Sequence, residues 1–172
     1  MYKRRGYEWE HSFRLSIIRC LPGAFIYKII DTHSIEGLLS KLKESHQQYN
    51  KFLVPKVPAD FIIIHYGRTM WIECKNTTNL TSFPLSNIAK HQLEFGVQIA
   101  SAGGEYFFAI QRDEPYKKRA FLIDINTFLE IKSKVNREGK KSIKWLIFEN
   151  HPNVKELELM RGSIYDLRKE LE

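Results

Sequence analysis

The stretch that most constrains this chain runs from Asp60 to Lys75 and reads DFIIIHYGRTMWIECK. Two runs rich in β-branched and aromatic residues flank Tyr66-Gly67, a two-residue hairpin connection in which glycine supplies a positive φ. With those residues as the turn, His65 faces Arg68, and the ladder runs back until Asp60 faces Glu73. Directly opposed residues point to the same side of a sheet, with Cβ atoms roughly 5 Å apart. Period 2 adds Lys75 to that side. The spacing therefore predicts two carboxylates and one ammonium converging at one end of a hairpin. Trp71 shares their parity and lies beside them or packs in the core. Cys74 alternates to the opposite side, as a core residue and not a nucleophile.

Met70 to Cys74 is otherwise apolar, which sets Glu73 and Lys75 at the boundary of a core. Mg2+ takes carboxylate oxygens and keeps several waters, leaving room for a phosphate. A bound metal lowers the pKa of its water and stabilises charge on the phosphate. Lys75 is placed to orient the attacking water or to neutralise the pentacovalent phosphate. The pattern points to a divalent-metal site for phosphodiester hydrolysis. On the hairpin alone, a plain alternative stands beside it: an exposed Glu-Lys strand pair, with Asp60 as a strand-start residue.

The rest of the chain supplies candidate walls for that site. Residues 7–21 have helical spacing, with Phe13, Ile17 and Leu21 at i, i+4, i+8, and Pro22-Gly23 ends the run. Glu10 falls on the same stripe. An inward carboxylate needs a partner or a metal; at the margin of the stripe it would be exposed near the positive end of the helix dipole. Residues 24–30 read as a strand. Ile35, Leu38, Leu39, Leu42 and Tyr49, following Ser34 as cap, form an amphipathic helical stripe within an insert at 31–56. Two prolines make residues 54–58 a loop, and polar residues with Phe83-Pro84 make 76–85 another.

A third helix is expected from Asn87 to Ala102, capped by Ser86 or Asn87 and stopped by Gly103-Gly104. Ile88, Phe95 and Ile99 mark its buried face, and Gln92 lies on that face. Strands follow at 105–111 and 120–125, then a helix at 126–135 and a basic turn at 137–144. Trp145 to Phe148 reads as an edge strand and residues 165–172 as a short charged helix. This order predicts one α/β domain over 1–172, a mixed sheet flanked by helices.

The net charge of +7 favours a polyanionic partner, nucleic acid above all. Cys20 and Cys74 lack the spacing of a zinc site or disulfide framework. The six histidines show no zinc-binding pattern, and His65, next to the turn, is expected to face solvent. No apolar run approaches the roughly 20 residues that span a membrane, and no secretory h-region follows the basic N-terminus. An intracellular, cytoplasmic protein is expected.

Several stretches resemble the RecU-like Holliday junction resolvases of the PD-(D/E)XK nuclease superfamily. Arg5-Gly6-x-x-x-Glu10 resembles their R-G-x-x-x-E, and Glu73-Cys74-Lys75 their E-x-K. Residues 81–87, TSFPLSN, and 91–94, HQLE, are similar to the family's T-S-F-P-L-x-N and H-Q-I-E. Ala102-Gly103-Gly104, Phe121 to Asp124 and Lys141 to Ile143 fit as well. The likeness is densest from Arg68 to Ile110.

The resemblance implies a restriction-endonuclease-like fold and an Mg2+-dependent endodeoxyribonuclease, with Mn2+ able to substitute, acting on branched or duplex DNA as a homodimer. By the same resemblance Asp60, Glu73 and the Cys74 carbonyl bind metal. Lys75 is the catalytic lysine, Glu10 an added acid, and Gln92 a polar residue directed into the site. Arg4, Arg5, Lys28, Lys90, Lys117 and Lys118 are candidate DNA contacts. One departure concerns residues 31–56: the family carries a strand-built stalk there, whereas this interval has helical periodicity. This departure bears on four-way-junction specificity and not on the nuclease chemistry. The leading expectation is a structure-selective endonuclease that resolves four-way junctions; the alternatives are a restriction-like or repair endonuclease acting on other DNA structures, and a non-cleaving junction-binding protein.

Overall fold

The computed structural model describes residues 2–29, 56–114 and 118–171, with side chains from residue 6 onward. The helix expected within 31–56, Lys117, and the side chains of Arg4 and Arg5 lie outside the described residues.

The first helix, α1 (Tyr2–Cys20), ends at a turn where Gly23 takes φ +82°, a conformation that favours glycine. It buries Trp9, Phe13 and Ile17, spaced i, i+4, i+8, and is followed by the buried Leu21. The next strands are β1 (Phe25–Lys28), β2 (Phe61–His65) and β3 (Arg68–Thr77). The hairpin has the expected register, with His65 opposite Arg68 and Phe61 opposite Ile72. Tyr66 and Gly67 both have positive φ, 45° and 78°, as a type I′ turn demands. Beyond the strand, the Asp60 N–H donates to the Ile72 carbonyl at 3.0 Å, which carries the register on towards Glu73.

A six-stranded mixed sheet forms in the order β1-β2-β3-β5-β6-β8, where β5 is Glu105–Asp113, β6 is Lys118–Asp124 and β8 is Lys155–Leu157. The β3–β5 pair is parallel and the other neighbours are antiparallel. Antiparallel strands can be joined by a tight turn, but a parallel pair needs a crossover. Here the crossover contains α2 (Lys90–Ser101). On one face of the sheet, Phe61, Ile63, Met70, Ile72 and Cys74 pack with Trp9, Phe13 and Ile17 of α1. On the other, Tyr106, Phe108, Ile110, Phe121 and Ile123 pack with Ile125, Phe128 and Ile131 of α3 (Ile125–Arg137). Each fully buried large apolar side chain contributes roughly 1.5–3 kcal/mol of transfer free energy. With this burial, β3 lies in the interior of the sheet, between β2 and β5.

Several sequence expectations need correction. Residues 76–85 are not simply a loop, because β3 continues to Thr77 and β4 (Ser82–Pro84) follows. That short strand pairs with β7 (Ser142–Lys144), which takes up the last three residues of the expected basic turn. The supposed edge strand at Trp145 is instead α4 (Trp145–Asn150). Trp145 and Phe148 are buried, whereas Leu146 and Ile147 between them are exposed, a one-turn helical pattern hidden in four successive apolar residues. The Trp145 Nε1–H also donates to the Asn79 carbonyl at 2.8 Å.

Helix α2 starts at Lys90 and not Asn87, after a 3-10 turn at Leu85–Asn87. Ile88 and Ala89 are extended and separate the two. Helix α3 outruns its expected bounds because the Asp124 carboxylate accepts the N–H groups of Asn126 and Thr127. The last helix, α5 (Arg168–Leu171), is shorter than expected, since Tyr165 makes a β-bridge to Leu159 and its N–H donates to Ser16 Oγ.

His65 is not solvent-facing. It shares the parity of Phe61 and Ile63, is 5% exposed, and its ring lies 4.2 Å from that of Tyr66. No helix of the described residues is long and apolar enough to cross a membrane.

Candidate active site

Asp60, Glu73, Lys75 and Gln92 meet where β2 begins and β3 approaches its end. Lys75 Nζ lies 2.7 Å from Glu73 Oε1. The Gln92 amide is fixed at both ends: its Oε1 accepts the Ala89 N–H at 2.9 Å, and its Nε2 donates to Glu73 Oε1. Gln92 thus closes the first turn of α2 and delivers a donor to the β3 carboxylate. Its position on the buried face of α2, one turn before the buried Gly96, makes both bonds possible. Glu73 is 4% exposed, a level at which a carboxylate needs such partners.

Asp60 reaches the same place from the segment entering β2. Its Oδ2 accepts the Cys74 N–H at 2.7 Å, and among the described residues Oδ1 takes no hydrogen bond. Burial, then the negative charges of Glu73 and Glu10, push its carboxyl up from the usual range to about 8. The Cys74 N–H and Lys75 pull the other way and do not overcome this. Burial, followed by the charge of Asp60, also raises the Cys74 thiol well above its ordinary value, which suits an inert core side chain.

Glu10 combines parts of both sequence readings: it sits at the margin of the stripe, yet it is partly buried and has a charged partner. Trp9, Phe13 and Ile17 form the buried stripe of α1, and Glu10 flanks it with its side chain 24% exposed. Lys28 Nζ on β1 donates to Glu10 Oε2 at 2.6 Å and also lies over the Tyr7 ring. The charge of Glu10 still reaches Asp60, yet among the described residues no three His, Cys, Asp or Glu side chains converge on one point.

That donor set fits one kind of metal. A tetrahedral zinc cage needs four nitrogen, sulfur or oxygen ligands, or three and a water. Mg2+ binds through one or two carboxylates, waters and substrate phosphate. Asp60 and Glu73, with Lys75 beside them, match the second description. An open groove of about 370 Å³ extends from Lys75 along Asn76, Thr77 and Thr78 to Gly6 and Asn87. Trp71 lies on the Glu73 side of the sheet and packs, partly buried, against the core there.

The candidate DNA contacts are spread more widely. Lys90 is exposed at the start of α2, 3.1 Å from Glu94. Lys118 lies 3.9 Å from Asp113 on the β5–β6 pair. Lys28 is engaged by Glu10 beside the site.

Sequence reasoning missed Tyr106. Its hydroxyl donates to the Pro58 carbonyl at 2.9 Å, two residues before Asp60, and its ring is 1% exposed. Nothing local marks it, because the bond spans 48 residues and crosses from β5 to the start of β2.

Fold and site define a mixed α/β protein with a carboxylate-lysine cluster at the end of a central hairpin. The chain belongs to the RecU family, described as recombination protein U, whose family model matches residues 24–166. It is 33% identical over 95 residues to the Holliday junction resolvase RecU of Oceanobacillus iheyensis, covering 54% of this chain and 46% of that protein. It is 25% identical over 117 residues to the Holliday junction resolvase RecU of Bacillus subtilis, covering 68% and 52%. The chain thus spans about half the length of the curated relatives it matches. Among solved structures, the Holliday junction resolvase Hjc of Archaeoglobus fulgidus is similar with a TM-score of 0.41 and 14% identity, over 70% of this chain and 78% of that one.

Proposed function

We propose that this chain is a divalent-metal-dependent endonuclease that cuts branched DNA, with the four-way junction as its substrate. The observation that carries the reading is the convergence of Asp60, Glu73, Lys75 and Gln92 in a RecU-family chain. The names of its relatives supply the substrate class, and a net charge of +7 suits a polyanion.

Asp60 and Glu73, with the main-chain carbonyl of Cys74, are the groups that would hold Mg2+ or Mn2+. When bound, that ion supplies an acidified water and offsets charge on the phosphate. Lys75 places a positive charge beside the scissile phosphate and holds the attacking water in line. Gln92 keeps Glu73 in one orientation. Glu10, released from or shared with Lys28, adds negative charge on the α1 side. Lys28, Lys90 and Lys118, with Arg4, Arg5 and Lys117, are proposed phosphate contacts. The protein is proposed to act as a homodimer, one site for each of two strands.

The test is cleavage of labelled four-way junction, duplex, flap and single strand by purified protein in Mg2+, with a chelator control. Paired nicks in the junction, lost with chelator and regained with Mn2+, are expected. Equal cutting of plain duplex overturns the junction assignment, and no cutting of any substrate overturns the enzyme. Sedimentation at working concentration reads the dimer.

A further inference from the structure

We infer that Tyr106 is a positioning residue for the metal-binding carboxylates: its ring and hydroxyl set the spacing between Asp60, Glu73 and Gln92. The inference rests on the metal-site reading proposed above and deepens it.

Tyr106 lies on β5 directly opposite Trp71 of β3, on the side of the sheet that carries Glu73. From there its hydroxyl reaches past β3 and donates to the Pro58 carbonyl at 2.9 Å. Ala59, the next residue, is fully buried in the same core cluster. Asp60 follows, held by the Ile72 carbonyl, the Ile29 N–H and the Cys74 N–H. The Tyr106 bond is therefore the tie from β5 to the segment that delivers Asp60.

The ring makes a second contact. A Cβ added to Gly96 of α2 would meet Tyr106 Cδ1 at 3.0 Å and Ile125 Cδ1 at 2.9 Å. Helix α2 thus rests on Tyr106 without an intervening side chain. Gln92 sits one turn earlier on the same helical face, so its reach to Glu73 depends on how closely α2 approaches Tyr106. One side chain therefore sets the heights of two elements. Burial, followed by the charges of Glu73 and Asp60, holds its phenol well above the ordinary value, so the hydroxyl stays a donor.

The protein–metal interaction reads this directly. Tyr106→Phe keeps the ring and its contact with Gly96 but loses the bond to Pro58. Ser16→Ala is the matched control. Ser16 is fully buried; its Oγ accepts the Tyr165 N–H and donates to the Ser12 carbonyl, each at 2.8 Å, so its loss also breaks buried hydrogen bonding, but away from the carboxylates. Mn2+ binding is measured by titration calorimetry on each protein without DNA, and Tm is recorded for each with chelator present.

The expected result is a Kd for Mn2+ raised about three- to tenfold in Tyr106→Phe, the size of one net hydrogen bond. Ser16→Ala should keep the wild-type Kd while its Tm falls by as much or more. Equal Kd values for Tyr106→Phe and wild type overturn the inference, as do equal rises in both variants. If wild type binds no Mn2+, the metal-site reading itself fails, and the inference falls with it.

Discussion

Two charged clusters at strand ends have the same formal balance and opposite character. Around the hairpin, Asp60, Glu73 and Glu10 face Lys75 and Lys28, three acids against two bases. At the β5–β6 edge, Glu114, Glu149 and Glu156 face Arg112 and Arg119, again three against two. In the second cluster the two arginines reach all three glutamates through guanidinium forks, and Arg119 is held charged chiefly by its bond to Glu156. In the first, lysines offer point charges, Glu73 is almost wholly buried, and Asp60 is pushed up to about 8. Charge count does not separate the two. Desolvation does, because a carboxylate taken out of water resists ionisation, whereas one left partly in water and held by a guanidinium fork does not.

The largest test of this contrast is at Glu73 and Lys75. Glu73→Ala and Lys75→Ala should each lower junction cleavage about a hundred- to thousandfold, while gel-shift binding of the junction persists or tightens for Glu73→Ala as negative charge leaves the site. Parallel loss of binding, cleavage and cooperative unfolding would mark them as folding residues instead.

The next effect is a pH dependence. Asp60 has a carboxyl raised from 3.8 to about 8 in the folded chain, so between those values the folded state binds the proton that the unfolded state has lost. With chelator present, wild-type stability relative to Asp60→Asn should be greatest near pH 4 and fall as pH rises to about 8, on the order of a few kcal/mol. Denaturant melts across that range check it, and a rising difference would reverse the sign of the claim. Across the same range, apparent Mn2+ affinity of wild type should increase as the proton leaves Asp60.

The smallest effect belongs to the other cluster. Arg119→Met should cost about 1 kcal/mol or less and leave cleavage of the junction unchanged, since partly exposed ion pairs contribute little. A tenfold loss of cleavage at full folding would mean that the second cluster also touches the substrate.

Much of the site is legible in the amino-acid sequence. The hairpin register follows from a local turn and a period of two, and both survive folding: Phe61 does oppose Ile72, and Asp60 accepts the Cys74 N–H next to Glu73. Gln92 is legible for a similar reason, since helical spacing alone assigns it to the buried face. Short elements escape. Strands β4, β7 and β8 have three residues each, too few for a period, and Trp145 to Phe148 is apolar throughout and serves strand or helix equally. His65 misleads because nearness to a turn suggests exposure, whereas strand parity aims it inward.

What the chain determines by itself is which side chains share a side: Asp60 with Glu73 and Lys75, Cys74 away from them, Gln92 inward. What only the tertiary structure decided is how those charges are met. Lys28 engages Glu10 from β1, Gln92 engages Glu73 from α2, and Tyr106 ties the Asp60 segment from β5. Parity is a property of neighbouring dihedral angles, so it is written locally. Desolvation depends on everything that excludes water from a point, and here the partners come from three separate elements, β1, α2 and β5.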